Sequence, residues 1–328
     1  MIIAGDIGGT KTNVALFRPE GERVGRPVVQ QSFPSAFYGS LEEILREFVA
    51  GHRPDSVTHA CFGVAGPVVR GRVEATNLAW TISDAGLAAA LGLPSVRLIN
   101  DLEATAFGIG ELTPDQLHTL NEGDGDRPGH RGLIAAGTGL GMAAIYFDGT
   151  FYHPMPSEGG HVDFAPRDRR EFELLEYLRE QVGGRVSYER VLSGMGLLNI
   201  YTFLRDRGHF EEPAWLAAET REGDAGAAIS RAALAGRSEL AETALAMFVE
   251  IYGAMAGNLA LMLKAVGGLY VGGGIAPKIL ERLKDGAFMR HYADKGRMSA
   301  LVKSIPVRVI LDDKTALYGA ARYALMAG

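Results

Sequence analysis

Asp6, Gly8, Gly9, Thr10 and Lys11 fall within one short run, Ile2-Ile3-Ala4-Gly5-Asp6-Ile7-Gly8-Gly9-Thr10-Lys11-Thr12-Asn13, that joins an apolar strand to an acid and a glycine turn. Gly8 and Gly9 let backbone amides approach an anion closely, so the run reads as a nucleotide-phosphate site. Val14, Leu16 and Phe17 then resume a strand, making the unit a strand, phosphate turn, strand hairpin. A Walker loop needs a second glycine directly before its lysine and a helix after it; here Thr10 precedes Lys11 and a strand pattern follows. The competing reading is an ordinary hairpin whose glycines serve the turn alone and whose Asp6 is a solvated carboxylate.

Four further clusters carry reactive or ligand-holding side chains. Asn100-Asp101 stands where the apolar Leu98-Ile99 meets a helix-like segment, and open α/β sheets place ligands beyond the carboxyl ends of strands. Asp101 there suits proton acceptance from an alcohol; either residue also suits a helix cap, and the two roles can coexist. Ser157-Glu158-Gly159-Gly160-His161-Val162-Asp163 gathers two carboxylates and an imidazole around paired glycines. Its spacing is not that of a helical zinc site, so hydrogen bonding to a hydroxylated ligand is favoured over metal ligation. Glu189, in Val186-Ser187-Tyr188-Glu189-Arg190, reads by itself as a solvated or first-turn acid. Gly272-Gly273-Gly274 closes a strand with a turn of little bulk, against which a nucleotide base and ribose could rest, or which serves only the turn. Cys61 reads as a small buried residue, and Trp80, after Asn77, as core filling in preference to a cleft wall.

The elements that must position these groups follow an α/β pattern. After the hairpin come strands at 28–33 and 58–65, a helix over 41–49, a strand over 68–74, a helix from Ser83 as N-cap to near Gly92, and a strand at 96–99. A first lobe is expected to end near residue 110. The stretch 113–132, rich in Pro, Asp, Asn and Gly, is expected to be a loop between lobes. Gly132 to Phe147 repeats the strand, glycine turn, strand pattern around Gly137-Thr138-Gly139. A largely apolar helix over 239–264 is expected to be buried. Strands at 267–274 and 305–311 follow, with Pro277 near a helix start, and the final helix, 315–326, carries Gly319-Ala320-Ala321 for close packing back on the first lobe.

Composition narrows the function classes. The chain of 328 residues has 47% hydrophobic and 22% charged residues and a net charge of −6, without the basic excess of nucleic-acid binding. A single cysteine excludes an intramolecular disulfide and a cysteine-rich zinc cluster, and neither an export signal nor a membrane span is indicated. A cytoplasmic protein with a small-molecule partner is expected.

Asp6-Ile7-Gly8-Gly9-Thr10-Lys11, Asn100-Asp101, Gly137-Thr138-Gly139, Glu158-Gly159-Gly160-His161 and Gly272-Gly273-Gly274, in this order over nearly the whole chain, resemble the bacterial hexokinase-type glucokinase family. The related repressor, open-reading-frame and kinase group shares the first motif. Many of its members add a cysteine-rich zinc motif that this chain cannot supply, and its repressors carry a DNA-binding segment ahead of the hairpin, which here begins at residue 2. The resemblance implies the actin-like, ribonuclease-H-like two-lobed α/β ATPase fold with mixed sheets and a ligand cleft, residues 1–110 with helix 314–328 forming a small lobe and 111–313 a large one. It implies Asp101 as general base for the sugar 6-hydroxyl, with Asn100, Glu158, His161 and Glu189 holding the other hydroxyls of glucose. It further implies ATP phosphates on Gly8, Gly9, Thr10 and Thr138, with Lys11, Gly137 and Gly139 in the same turns. Asp6 would position Mg²⁺ mostly through water, and Gly272, Gly273 and Gly274 would face adenosine. No structural zinc, nucleic acid or membrane partner is implied, and a homodimer is expected. Rival readings are a kinase for another hexose such as mannose or an N-acetylhexosamine, a non-catalytic sugar sensor, and an actin-like filament or chaperone ATPase.

Overall fold

The computed structural model describes residues 1–21, 23–54, 56–75, 78–208 and 210–327. The chain divides into two compact units: Met1–Gln116 with His153–Pro156 and Asp312–Gly328, and Leu117–Tyr152 with Ser157–Leu311.

In the first unit the chain runs through β1 (Ile2–Ile7), β2 (Lys11–Phe17), β3 (Pro27–Pro34), α1 (Leu41–His52), β4 (His59–Val64), β5 (Arg72–Glu74), β6 (Thr81–Ser83), α2 (Asp84–Leu91), β7 (Arg97–Asn100) and α3 (Asp101–Gly108). The sheet order is β3-β2-β1-β4-β7, with β1 antiparallel to β2 and parallel to β4, and β4 parallel to β7. β1 and β4 are apolar almost throughout because both of their faces are covered, as in the interior of mixed α/β sheets. One face packs on α1 through Ile44, Leu45 and Phe48. Ser83 caps α2 by accepting from Gly86 N–H, and Gly92 ends it at φ 65°. The strand expected over 68–74 is in fact a tight turn at Arg70-Gly71 followed by the short β5, paired with β6.

The second unit holds β8 (Leu117–Asn121), β9 (Arg131–Ala136), β10 (Leu140–Phe147), the two end residues of β11 (Tyr152–Ser157, whose His153–Pro156 belong to the first unit), α4 (Arg169–Val182), α5 (Gly194–Asp206), α6 (Ala214–Glu222), α7 (Ala225–Leu234), α8 (Glu239–Leu263), β12 (Leu269–Gly272), α9 (Leu280–Lys284), α10 (Ala287–Ala293), α11 (Ser299–Lys303) and β13 (Val307–Ile310). Five of its strands lie in the order β10-β9-β12-β13-β8. β8 corrects the expectation of a loop over 113–132: it pairs antiparallel with β13 as an edge strand, and all five of its residues are half-buried, which removes the apolar alternation by which a strand is read. Among the described residues α8 is the one helix long and apolar enough to cross a membrane, and most of its apolar positions are buried in this unit's core beside Phe288 and Tyr292, Met262 near its end being exposed.

The final helix, α12 (Thr315–Ala327), lies in the first unit on α3, β1 and β4. Its small residues permit a backbone contact: a Cβ on Gly319 would lie 1.7 Å from the Ala104 carbonyl oxygen, and one on Gly108 would lie 2.0 Å from that of Thr315.

Candidate active site

Two sets of site residues emerge, one in each unit. In the first unit the β1–β2 hairpin pairs Ile7 with Thr12, leaving 8–11 as a turn closed by Gly8 N–H donating to the Lys11 carbonyl at 3.0 Å. Thr10 and the Lys11 side chain are exposed, and Gly8 and Gly9 are half-buried. β4 and β7 run parallel to β1, so the ends of β1 and β7 bring Asp6 and Asn100-Asp101 to the same edge of the sheet.

Asn100 caps α3, its Oδ1 accepting from Leu102 N–H at 2.9 Å and Glu103 N–H at 3.4 Å, and its Nδ2 donates to the Gly66 carbonyl at 3.1 Å. The capping role therefore holds for Asn100, with one amide N–H left for a further partner. Asp101 is the first residue of α3, its Oδ1 also accepting from Leu102 N–H at 2.9 Å. The backbone N–H groups at a helix start attract a carboxylate.

Asp6 feels the opposite pressure. Burial first, then the negative charge of Asp101, push its pKa from 3.8 up to about 6; Asp313 adds to the rise, while a hydrogen bond from Asn13 and the charge of Lys11 oppose it. Asp313, whose charge acts on Asp6, was marked by no motif, although a signal was present: an apolar strand, β13, followed by Asp312-Asp313 and a helix, the same pattern as Ile99-Asn100-Asp101. Among the described residues no three acidic, histidine or cysteine side chains are grouped to hold a metal ion, so a cation here would meet Asp6 as a single carboxylate and keep most of its waters.

The raised pKa has a stability consequence. Between pH 3.8 and about 6 native Asp6 binds more protons than the unfolded chain, so stability falls as pH rises through that window, and the full penalty stands above it. Asp6→Asn removes the buried charge and is expected to raise the melting temperature of the ligand-free protein at pH 7 to 8, by about 1–3 kcal/mol of stability. Melts of both proteins from pH 4.5 to 8 check this; a gap that does not widen with pH overturns it.

In the second unit the turn Gly137-Thr138-Gly139 lies between β9 and β10, closed by Gly137 N–H donating to the Gly139 carbonyl at 2.8 Å. Gly272 ends β12 and Gly273-Gly274 follow it; β12 runs parallel to β9, so the two turns are neighbours. Gly273 has φ 82° and a Cβ there would meet the Ala136 carbonyl oxygen at 2.2 Å; the same carbonyl accepts from Ile275 N–H at 3.1 Å. Tyr252 of α8 reaches under both turns, its hydroxyl accepting from Ala136 N–H at 3.3 Å and lying 3.4 Å from the Gly272 carbonyl oxygen. Gly137, Thr138 and Gly274 line a cavity of about 400 Å³, a volume within the usual range of small-ligand pockets. Its remaining walls include Met195 of α5, Gly226 of α7 and Lys278, none of them part of a motif. Gly226 allows this closure because a Cβ there would sit 2.9 Å from the Gly194 carbonyl oxygen.

Glu158 and His161 flank Gly159-Gly160, with His161 Nε2 3.8 Å from Glu158 Oε2 and both side chains more than half exposed. Gly160 must be glycine, since a Cβ there would lie 1.9 Å from the Leu140 carbonyl oxygen. Arg185 fastens this loop by donating to the His161 carbonyl and, at 3.0 Å, to Asp163, so the Asp163 carboxylate is engaged by a cation. Tyr188 N–H donates to the Val162 carbonyl at 2.9 Å, which brings Glu189 to the same loop. Glu189 is not a solvated acid: it is half-buried and its Oε2 accepts from Leu140 N–H at 3.0 Å, directly behind the 137–139 turn. Cys61 and Trp80 are both buried, Trp80 with its indole N–H on the Tyr38 carbonyl at 3.2 Å, and Asn77 lies outside the described residues.

An α/β chain with two mixed sheets, each opening a strand hairpin into a glycine turn, has the architecture of the sugar kinases of the actin-like ATPase superfamily. The crystal structure of a glucokinase from an Antarctic psychrotroph matches it with a TM-score of 0.87 at 30% identity over 98% of each chain. A ROK family glucokinase from Streptomyces griseus, solved in complex with glucose and AMPPNP, shares the fold with a TM-score of 0.64 at 23% identity, over 100% of this chain and 99% of that one. The chain belongs to the glucokinase family and is a kinase: the glucokinase family model matches residues 3–327, and the glucokinase of Nostoc punctiforme is 43% identical over 333 residues, 98% of both chains.

Proposed function

We propose that this kinase transfers the terminal phosphoryl group of ATP to the 6-hydroxyl of D-glucose, with Asp101 as general base. The observation that carries the reading is the placement of Asp101 at the first turn of α3, at the same sheet edge as Asp6 and the Gly8-Gly9-Thr10 turn. Asp101 accepts the proton of the 6-hydroxyl as that oxygen attacks phosphorus, and ADP departs with the bridging oxygen and its electron pair. Phosphoryl transfer asks little covalent work of the protein, so alignment and charge stabilisation supply most of the acceleration.

Gly9 and Thr10 in one turn, and Thr138 and Gly139 in the other, offer backbone amides to phosphate, while the Gly8 and Gly137 amides close those turns. The cavity beside Gly274 accepts adenosine, whose flat ring rests on exposed glycine backbone. Mg²⁺, held near Asp6 mostly through water, supplies charge neutralisation at the phosphates when bound. Glu158, His161 and Glu189 hold glucose hydroxyls, joined by the free amide N–H of Asn100; a wrong epimer leaves one of these groups unpaired, which is the physical basis of sugar selectivity. The role fits the entry step of glycolysis in the cytoplasm, and a homodimer is the expected assembly.

Purified protein, Mg-ATP and a panel of hexoses test the reading, with ADP release followed alongside sugar 6-phosphate formation. Turnover confined mainly to glucose supports it. Preference for mannose or an N-acetylhexosamine overturns the substrate, and ATP hydrolysis independent of sugar overturns the reaction.

A further inference from the structure

We infer that Ser35, backed by Thr12, is a positioning residue for the first phosphate turn; the inference rests on the nucleotide role proposed for that turn. β3 is paired to β2 with Pro34 opposite Lys11, so the next residue is carried past the end of the strand pair and under the turn. Ser35 is fully buried there. Its Oγ donates to the Gly8 carbonyl at 2.8 Å, and its backbone N–H donates to the Thr10 carbonyl at 3.1 Å. One residue therefore grips the turn from behind at two carbonyls. The Ser35 hydroxyl proton is spent on Gly8, so Thr12 Oγ1, 3.0 Å away and itself fully buried, donates to Ser35 Oγ.

The consequence follows from peptide geometry. A trans peptide is a rigid plane in which C=O and the next N–H point in opposite directions, and the described residues contain no cis peptide bond. Fixing the Gly8 carbonyl fixes the direction of Gly9 N–H, and fixing the Thr10 carbonyl fixes that of Lys11 N–H. Glycine at positions 8 and 9 leaves the turn conformationally loose, and an oriented amide stabilises developing phosphate charge only if it is held in place beforehand. The buried hydroxyl pair supplies that restraint, from residues that touch no ligand themselves.

The test compares Ser35→Ala, Thr12→Val and Thr12→Ser with wild type by steady-state kinetics, with ATP and glucose each varied, and by calorimetric titration of Mg-AMPPNP. Thr12→Val keeps the side-chain shape without the hydroxyl; Thr12→Ser keeps the hydroxyl. Ser35→Ala and Thr12→Val are expected to raise the KM for ATP and the Kd for Mg-AMPPNP and to lower kcat, each on the order of tenfold, with the KM for glucose within about twofold of wild type. Thr12→Ser is expected to stay near wild type. Lower melting temperatures with unchanged nucleotide parameters in Ser35→Ala and Thr12→Val overturn the inference, leaving the hydroxyls a purely structural role. Wild-type protein that binds Mg-AMPPNP yet phosphorylates no sugar overturns the proposed reaction instead, and the Kd ratios still decide the role of Ser35.

Discussion

Asp101→Ala is expected to lower turnover by at least about 10² to 10⁴-fold while leaving the fold in place. The loss has two parts. Without a carboxylate the 6-hydroxyl proton has no acceptor as the oxygen–phosphorus bond forms, and the hydroxyl loses the hydrogen bond that aims it. The fold survives because Leu102 N–H, which Asp101 Oδ1 serves, is also served by Asn100 Oδ1 at 2.9 Å, so the helix keeps its cap and the expected stability change is within about 1 kcal/mol. Asp101→Asn separates the two parts: it retains a hydrogen-bond acceptor of the same shape but accepts no proton, and should be nearly as inactive as the alanine variant. The KM for ATP, set by other groups, should change little. Kinetics on both variants, with melting curves to show that they fold, check the assignment; either variant turning over within tenfold of wild type removes Asp101 as the base.

Gly319→Val should be the most damaging single substitution for stability. α12 and α3 meet backbone to backbone, and even a Cβ at 319 would stand 1.7 Å from the Ala104 carbonyl oxygen and 2.6 Å from Gly108 N. Neither atom belongs to a flexible side chain, so the helices must separate. That opens the layer in which Leu317, Ala320, Ala321 and Ala324 pack on Ile2, Ala4, Cys61 and Ile99. Overpacking of this kind costs about 3 kcal/mol. For a chain of this length that corresponds to a melting temperature lower by roughly 4 °C. Because α3 begins at Asp101, turnover should fall as well. Gly51→Ala is the control: the site lies in α1 with nothing within 4 Å of the added Cβ, and it should gain about 0.5–1 kcal/mol from helix propensity. A Gly319→Val protein that melts with wild type removes the close contact of α12 and α3.

Much of the site was legible because its signals are local. A glycine pair after an apolar strand, an amide and an acid at a strand end, and a capping serine before a helix each depend on a few consecutive residues, and the hairpin turns at Gly8 and Gly137 and the caps at Ser83 and Asn100 lie where those signals place them. Legibility failed where pairing or packing, not local chemistry, makes the element. β8 carries no apolar alternation because it is an edge strand, and its partner β13 lies far along the chain. Glu189 reads as a solvated or first-turn acid, and it does lie in the first turn of a short helix, but its contact with Leu140 N–H, remote in sequence, has no local signal.

The sequence by itself determined the order of glycine turns, the acid at the end of β7, the family to which the chain belongs and, through Gly319-Ala320-Ala321, that the last helix packs closely on something. Only the tertiary structure decided what that something is, that the charge of Asp313 acts on Asp6, that Met195, Gly226 and Lys278 wall the cavity beside Thr138, and that Ser35 holds the Gly8 carbonyl. The division has one physical cause. Turn and cap preferences are set by the φ, ψ and hydrogen-bonding options of neighbouring residues, whereas the electrostatic environment of Asp6 and the walls of the cavity arise from residues that come together only when strands pair and helices pack.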